Sequence, residues 1–294
     1  MAEQAELPPP RQLSPHVWAW IGPLGPPSRD NGGYRMNMGF VVGSRGIAVV
    51  DTGYTPAMAR AMLAHIRKVS DRPVLYAINT NSQPHRFMGN GVFRDAGAVL
   101  VTHPLEAARM ERLSGQYVAT IERVLDLRPD SLPFPVLPQR LVADHLDVDL
   151  GGVTLVIRHL GAAHTPAPLV VHVPEDRLVF AGDVLYGERL LAVLPDSSVR
   201  GWISTFRALR QYGTATFIPG HGQPGKLAQF EFPTLAYLQR LHTHMTRMVD
   251  EGVDVQDAIT RLDQRAWSKL ANFEQLAGRN ASWAYLEAES AAFE

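Results

Sequence analysis

HTPAPLVVHVPEDRLVFAGD, residues 164–183, decides the fold. Its PLVVHVP run is dense in valine and reads as a strand. RLVFAGD then forms a second strand that ends on an aspartate. A polar loop carrying His164 precedes the first strand, and Asp183 closes the second. Metal-competent side chains therefore stand where strands meet loops, a common place for a site to be built.

The same layout recurs on either side. HVWAWIG at 16–22 reads as a strand and YRMNMGFVVGSRGIAVVD at 34–51 as a hairpin about Gly43–Gly46. Residues 55–70 are amphipathic, with Thr55-Pro56 suited to cap a helix. PVLYAIN at 73–79 is a strand running into the polar loop TNSQPHR at 80–86, and AVLVT at 98–102 is another. Residues 104–127 read as helix, and PDSLPFPVLPQ at 129–139 as an extended loop. Strands resume from 140, ending with FIPG at 217–220 before Gly-His221-Gly. From about residue 226 the chain reads as helical. The expectation is a leader over 1–15 without fixed structure, then one domain over 16–294 made of two similar β-plus-α halves joined at 129–139.

Composition bounds the function. Of 294 residues, 46% are hydrophobic and 19% charged, which excludes general disorder. No apolar run is long enough to span a membrane. A net charge of −1 argues against nucleic acid as a partner. There is no cysteine, so a metal would need His, Asp, Glu or main chain. The N-terminus MAEQAELPPPRQL lacks an apolar secretory core, and a cytoplasmic location is expected. The expected partner is a small-molecule substrate; the sequence leaves oligomerisation open.

Several marks together resemble the metallo-β-lactamase superfamily. They are GFVVG…VVDTGYT at 40–55, Met88-Gly89-Asn90 after the polar loop, HTPAPLVVHVPEDRLVFAGD, RGWISTF at 200–206 and IPGHG at 218–222. Within that superfamily the chain is similar to metallohydrolases of quinoprotein relay and sulfur-oxidation settings. The resemblance implies an αββα sandwich of α/β (α+β) class, with a metal site at one edge of its two sheets. The family's first metal motif, Thr-His-x-His-x-Asp-His, falls on Thr80, Asn81, Gln83, His85 and Arg86, which departs at every ligand. His164, Asp183 and His221 match the remaining ligands.

Two readings follow. In the first, His85, Asp183 and His221, with His164 as a fourth candidate, hold at most one zinc or other divalent transition metal that activates water against an ester, thioester, lactone or amide. His85, Asp183 and Arg86 are then the catalytic candidates. Asn81 or Gln83 donates to the developing oxyanion, and Arg86 holds an acidic substrate group. In the second, no metal is bound, and Arg86 pairs with Asp183 in a non-catalytic cleft that binds a small molecule or protein partner. His85 reads either as a ligand or as an exposed loop histidine. Asp51 reads as a turn cap. His103, His172, His242 and His244 read as structural, and Trp18, Trp20 and Tyr34 as core.

Overall fold

The computed structural model describes residues 6–293. The strands are β1 Arg11–Gln12, β2 Val17–Trp20, β3 Met38–Val42, β4 Ile47–Val50, β5 Val74–Ile78, β6 Val99–Thr102, β7 Arg140–Leu141, β8 His145–Asp149, β9 Thr154–His159, β10 Leu169–Val173, β11 Leu178–Tyr186 and β12 Thr216–His221. The α-helices are α1 Pro56–Val69, α2 Pro84–Phe87, α3 Asn90–Asp95, α4 Pro104–Val124, α5 Val199–Ala208, α6 Tyr237–Asp250, α7 Val255–Thr260 and α8 Phe273–Ala292.

β1 to β7 form one sheet in sequence order, and the second runs β12-β11-β10-β9-β8. Successive side chains on a strand point to opposite faces, and the two faces bury different neighbours. Ala48 and Val50 of β4 and Val41 of β3 meet Leu155, Ile157, Val171 and Phe180 of the other sheet. Val49 and Phe40 point the other way and pack under Met58, Met62, Phe93 and Ile121 of the helices. On the far side, Val170, Val179 and Phe217 lie under Trp202, Phe206, Leu241 and Met245. Two sheets thus share one apolar layer, and each carries helices on its outer face: the αββα sandwich.

Helix starts follow local chemistry. Thr55 accepts a hydrogen bond from Met58 N, and Ser198 accepts one from Gly201 N. His103, read as structural, caps α4 by accepting from Leu105 N through Nδ1. Trp20 and Tyr34 are buried in the core, and Trp18 packs against it.

Three expectations need correction. Residues 1–5 of the proposed leader lie outside the described residues, but the rest of it is structured. Arg11–Gln12 pairs with β2, Leu7 is buried, and Pro8 O accepts from the Trp20 indole. Apolar docking and strand pairing hold this segment despite its prolines. The 129–139 loop does not separate the sheets either. β7, which follows it, still pairs with β6, so the crossing falls between β7 and β8. The 80–86 loop contains a helical turn, because Pro84 sits at its first position. Among the described residues, no helix is long and apolar enough to cross a membrane.

Candidate metal centre

Asp183 lies on β11, where all nine residues are buried, and His221 ends the neighbouring parallel strand β12. Both come from the second sheet. Asn81, His85 and Arg86 arrive from the first, on the turn after β5. That turn is held by buried amides: Asn79 Nδ2 donates to Arg86 O at 2.8 Å and to Asn90 Oδ1 at 2.9 Å, and Thr52 N donates to Arg86 O at 2.9 Å.

Arg86 is 0% exposed and its side chain fully engaged. Nε donates to Asp183 Oδ2 at 3.0 Å and Nη2 to Asp183 Oδ1 at 2.6 Å, the two-pronged geometry that guanidinium favours. Nη1 donates to Asp51 Oδ2 at 3.0 Å and Asn37 O at 2.8 Å, and Nη2 reaches Gly220 O at 3.3 Å. Burial works against its charge, but Asp183 and Asp51 outweigh that and hold it protonated beyond its ordinary range. Gly220 permits the approach: a Cβ there would fall on Asp183 Oδ1 and Arg86 Nη2. Arg86 is therefore not placed to hold an acidic substrate group. The reading of Asp51 as a mere turn cap is also too small. It stands at φ 62°, accepts from Thr80 N and Oγ1, and supplies a second carboxylate to Arg86.

Around Asp183 the polar atoms close in. Asn81 Nδ2 donates to Oδ2 at 2.9 Å, so its amide is turned onto the carboxylate rather than toward a reacting group. Gln83 is half-buried beside it. Oδ2 then holds two donors and Oδ1 only one. His85 Nε2 is 3.4 Å from Oδ2, and His221 Nε2 is 3.5 Å from Oδ1. With a side chain only 12% exposed, His85 is not an exposed loop histidine, and its buried Nε2 has no hydrogen-bond partner. His221 Nδ1 lies 2.8 Å from Arg35 O, so it carries the proton and leaves Nε2 with the lone pair. His85, Asp183 and His221 can each offer a ligand atom within 4.8 Å of the others. His164 is outside that group: its Nδ1 lies 2.8 Å from Ala192 O, and its ring packs on Trp202 and Tyr186.

Burial, reinforced by Arg86, pushes the His85 imidazole down to about 3. Burial and then Arg189 hold His221 well below its ordinary value, and burial lowers His164. Burial alone would raise the Asp183 carboxyl, but Arg86 outweighs it and holds the group well below the usual carboxylate range. All three imidazoles are thus neutral, as ligation requires. A stability consequence follows for the chelated protein. The folded imidazoles titrate below their unfolded value of about 6.5, so the unfolded chain takes up protons first as pH falls. Stability is expected to be full above about pH 6.5 and to decline as pH drops toward 4, by up to about 1.4 kcal/mol per pH unit for each histidine. Urea midpoints between pH 7.5 and 5 check this; a flat profile would reject neutral buried imidazoles.

A model of the metallo-beta-lactamase superfamily matches residues 32–221, well over half of the chain, including every residue of this cluster. The chain belongs to that superfamily. Among solved structures it is similar to a metallo-beta-lactamase from Pontibacter korlensis, with TM-score 0.63 and 21% identity over 78% of this chain and 98% of that one. It is also similar to TMB-1, at TM-score 0.60 and 14% identity over 79% and 96% of the two chains. These likenesses concern the fold. A linear primary-alkylsulfatase of Pseudomonas sp. (strain ATCC 19151) is 21% identical over 256 residues, 74% of this chain and 48% of that protein. A metallo-beta-lactamase type 2 of Bacteroides fragilis is 28% identical over 93 residues, 30% of this chain and 37% of that one. The chain thus spans about half or less of the length of these relatives.

Several residues of the site carry no motif signal. Asn37 Nδ2 donates to Pro219 O and Gly222 O, tying β3 to the loop around His221. Glu106, fully buried on α4, accepts from Ser82 N at 2.8 Å, from the Ser82 hydroxyl, and from Ala167 N at 2.7 Å. One carboxylate thereby joins the loop bearing Asn81 and His85 to the loop after His164. Glu106→Ala would leave these donors unsatisfied and is expected to cost about 2–4 kcal/mol. Glu106→Gln also fails to restore stability, because one acceptor becomes an N–H₂. Urea unfolding measures both; full stability in the glutamine variant would reject the role.

Proposed function

We propose that this superfamily member is a hydrolase that uses one divalent transition metal, zinc in the first instance, held by His85, Asp183 and His221. The observation that carries the reading is His85 Nε2, buried without a partner 3.4 Å from Asp183 Oδ2, with His221 Nε2 3.5 Å from the other carboxylate oxygen. Zinc bonds of roughly 2.0–2.2 Å set tetrahedral ligands about 3.4 Å apart; each imidazole stands at that spacing from one oxygen of the carboxylate, and one ligand atom from each residue falls within 4.8 Å of the others. The donor set is two imidazoles and a carboxylate, which leaves a coordination position open. A metal there would supply Lewis acidity and a water of lowered pKa.

The protein's own groups do the rest. Arg86 and Asn81 fix the Asp183 carboxylate, leaving Oδ1 with a free lone pair. The Arg35 carbonyl fixes the tautomer of His221. The half-buried Gln83 is the amide left to hydrogen-bond an oxyanion developing on a small-molecule ester, thioester, lactone or amide. Elemental analysis of dialysed protein is expected to give about one equivalent of metal per chain. Two equivalents would overturn the ligand set.

One observation favours a second reading. The Arg86 fork already neutralises Asp183. If titration with zinc under saturating conditions gives no binding, the cleft is metal-free and the protein a non-catalytic binder.

A further inference from the structure

Beside the Arg86 pairings stand two other guanidinium groups whose charge nothing balances. Arg189 is 4% exposed, and Arg35 is half-buried. Neither forms an ion pair among the described residues, and the buried Nε of each has no hydrogen-bond partner. Arg189 reaches only the His221 ring, 3.3 Å from Nη1, and the face of Tyr186, 5.8 Å from its guanidinium carbon. Arg35 and Arg189 act on each other and on Asp183, and Arg86 pairs with both Asp183 and Asp51, so three cations face two anions. The cluster carries one positive charge in excess, and a metal would only add to it.

Buried arginines are normally paired, because an uncompensated charge in a poorly solvated place is costly. Here both unpaired groups come from irregular chain. Arg35 lies on the glycine- and proline-rich passage before β3, and Arg189 on the turn after β11. Both flank His221, whose Nδ1 bonds the Arg35 carbonyl. Burial and then Arg189 bring Arg35 down to about 10, and burial also lowers Arg189. A guanidinium pair with free N–H groups matches the oxygens of a carboxylate, sulfate or phosphate group.

We infer that Arg35 and Arg189 form an oxyanion subsite beside His221, so that the ligand of this cleft carries an anionic carboxylate, sulfate or phosphate group. The inference rests on the cleft being a small-molecule site; it does not rest on the metal. The excess of one charge favours a monoanion. An anion there bridges the two irregular segments and lies next to Asp183 and His221, where a bond of the same molecule can be presented.

Calorimetric titration of the full chain, kept in chelator and in a buffer without oxyanions, tests this with methyl sulfate, acetate and inorganic phosphate as separate probes. At least one probe is expected to bind saturably and more weakly as chloride rises, and their ranking identifies the oxyanion. Arg35→Gln and Arg189→Gln should each weaken the best probe at least about tenfold, and the double variant should abolish it. Arg207→Gln, on the exposed face of α5, should bind like the wild type. Where a glutamine variant does not fold, the lysine variant keeps the charge and loses the fork, and should bind less tightly than wild type. The thermal midpoint of the wild type should rise with the probe. Absence of saturable binding for all three probes, or unchanged affinity in the variants, overturns the subsite. Repeating the titration with added zinc separates the two claims: oxyanion binding without zinc binding rejects the metal centre alone, and one bound zinc without oxyanion binding rejects the subsite alone.

Discussion

Arg86→Ala is expected to lose about 3–5 kcal/mol of unfolding free energy, the largest stability effect of any single substitution at this site. The substitution does not merely delete contacts. It leaves Asp183, 0% exposed, and Asp51, 2% exposed, without their cation. Removing one partner of a buried ion pair strands the other charge, and here two are stranded at once. The carbonyls of Asn37 and Gly220 lose a donor as well. Arg86→Lys should recover only part of the loss, since one ammonium cannot span Asp51 and fork Asp183 together. Urea denaturation at pH 7.5 reads both variants; a loss under about 1 kcal/mol for alanine would mean the guanidinium is not paired as described.

His221→Ala should do the reverse: small damage to the fold, large damage to chemistry. The ring donates to the Arg35 carbonyl, lies 3.3 Å from Arg189 Nη1 and stacks on Tyr186, so its removal should cost about 1–3 kcal/mol. It also strips the three-ligand set to His85 and Asp183. Retention of zinc through dialysis should be lost, and kcat/KM on any ester, thioester or lactone the zinc-loaded wild type turns over should fall by on the order of 10²–10³ or more, equivalent to about 3–4 kcal/mol of lost transition-state stabilisation. The two readouts separate outcomes. Turnover that survives the substitution puts the chemistry elsewhere in the protein. Zinc that stays bound with turnover gone would keep a metal but assign His221 a different part.

The strands were legible in the sequence because they are short, β-rich and bounded by distinctive polar residues, while their arrangement as an αββα sandwich came from the family resemblance. HTPAPLVVHVPEDRLVFAGD carries two strands by itself, and Thr55-Pro56 marks a helix start that the hydrogen bond from Met58 N to Thr55 bears out, whereas the Ser198 cap was not read from the sequence. The trio His85, Asp183 and His221 was expected from the family resemblance rather than from position alone: His221 ends β12, but Asp183 lies within β11 and His85 on the helical turn after β5. What stayed hidden depends on contacts made through space. Asp51 reads as a turn residue because its second role needs Arg86, 35 positions away, to arrive from another loop. Glu106 looks like an ordinary acid in the first turn of a helix, and nothing local says that two loops converge on it. Arg35 and Arg189 sit in stretches without periodicity, and a missing partner cannot be read from a sequence at all. Asn81 was recognised as a site residue, but its direction, toward Asp183, is set by folding.

The Arg86 clasp also bears on how a molecule reaches the cleft. Arg86 comes from the wall built on the first sheet, and Asp183 from the wall built on the second. Spreading these walls would unpair a buried cation from its counter-ions, so thermal breathing along that seam is suppressed. The segments that carry Arg35 and Arg189, 22–36 and 187–190, hold no buried ion pair of this kind among the described residues. If the oxyanion subsite holds, a diffusing anion would meet the field of Arg35 and Arg189 beside the imidazoles. Capture rates should be set by those two side chains and by ionic strength, while the clasp keeps the floor of the cleft rigid.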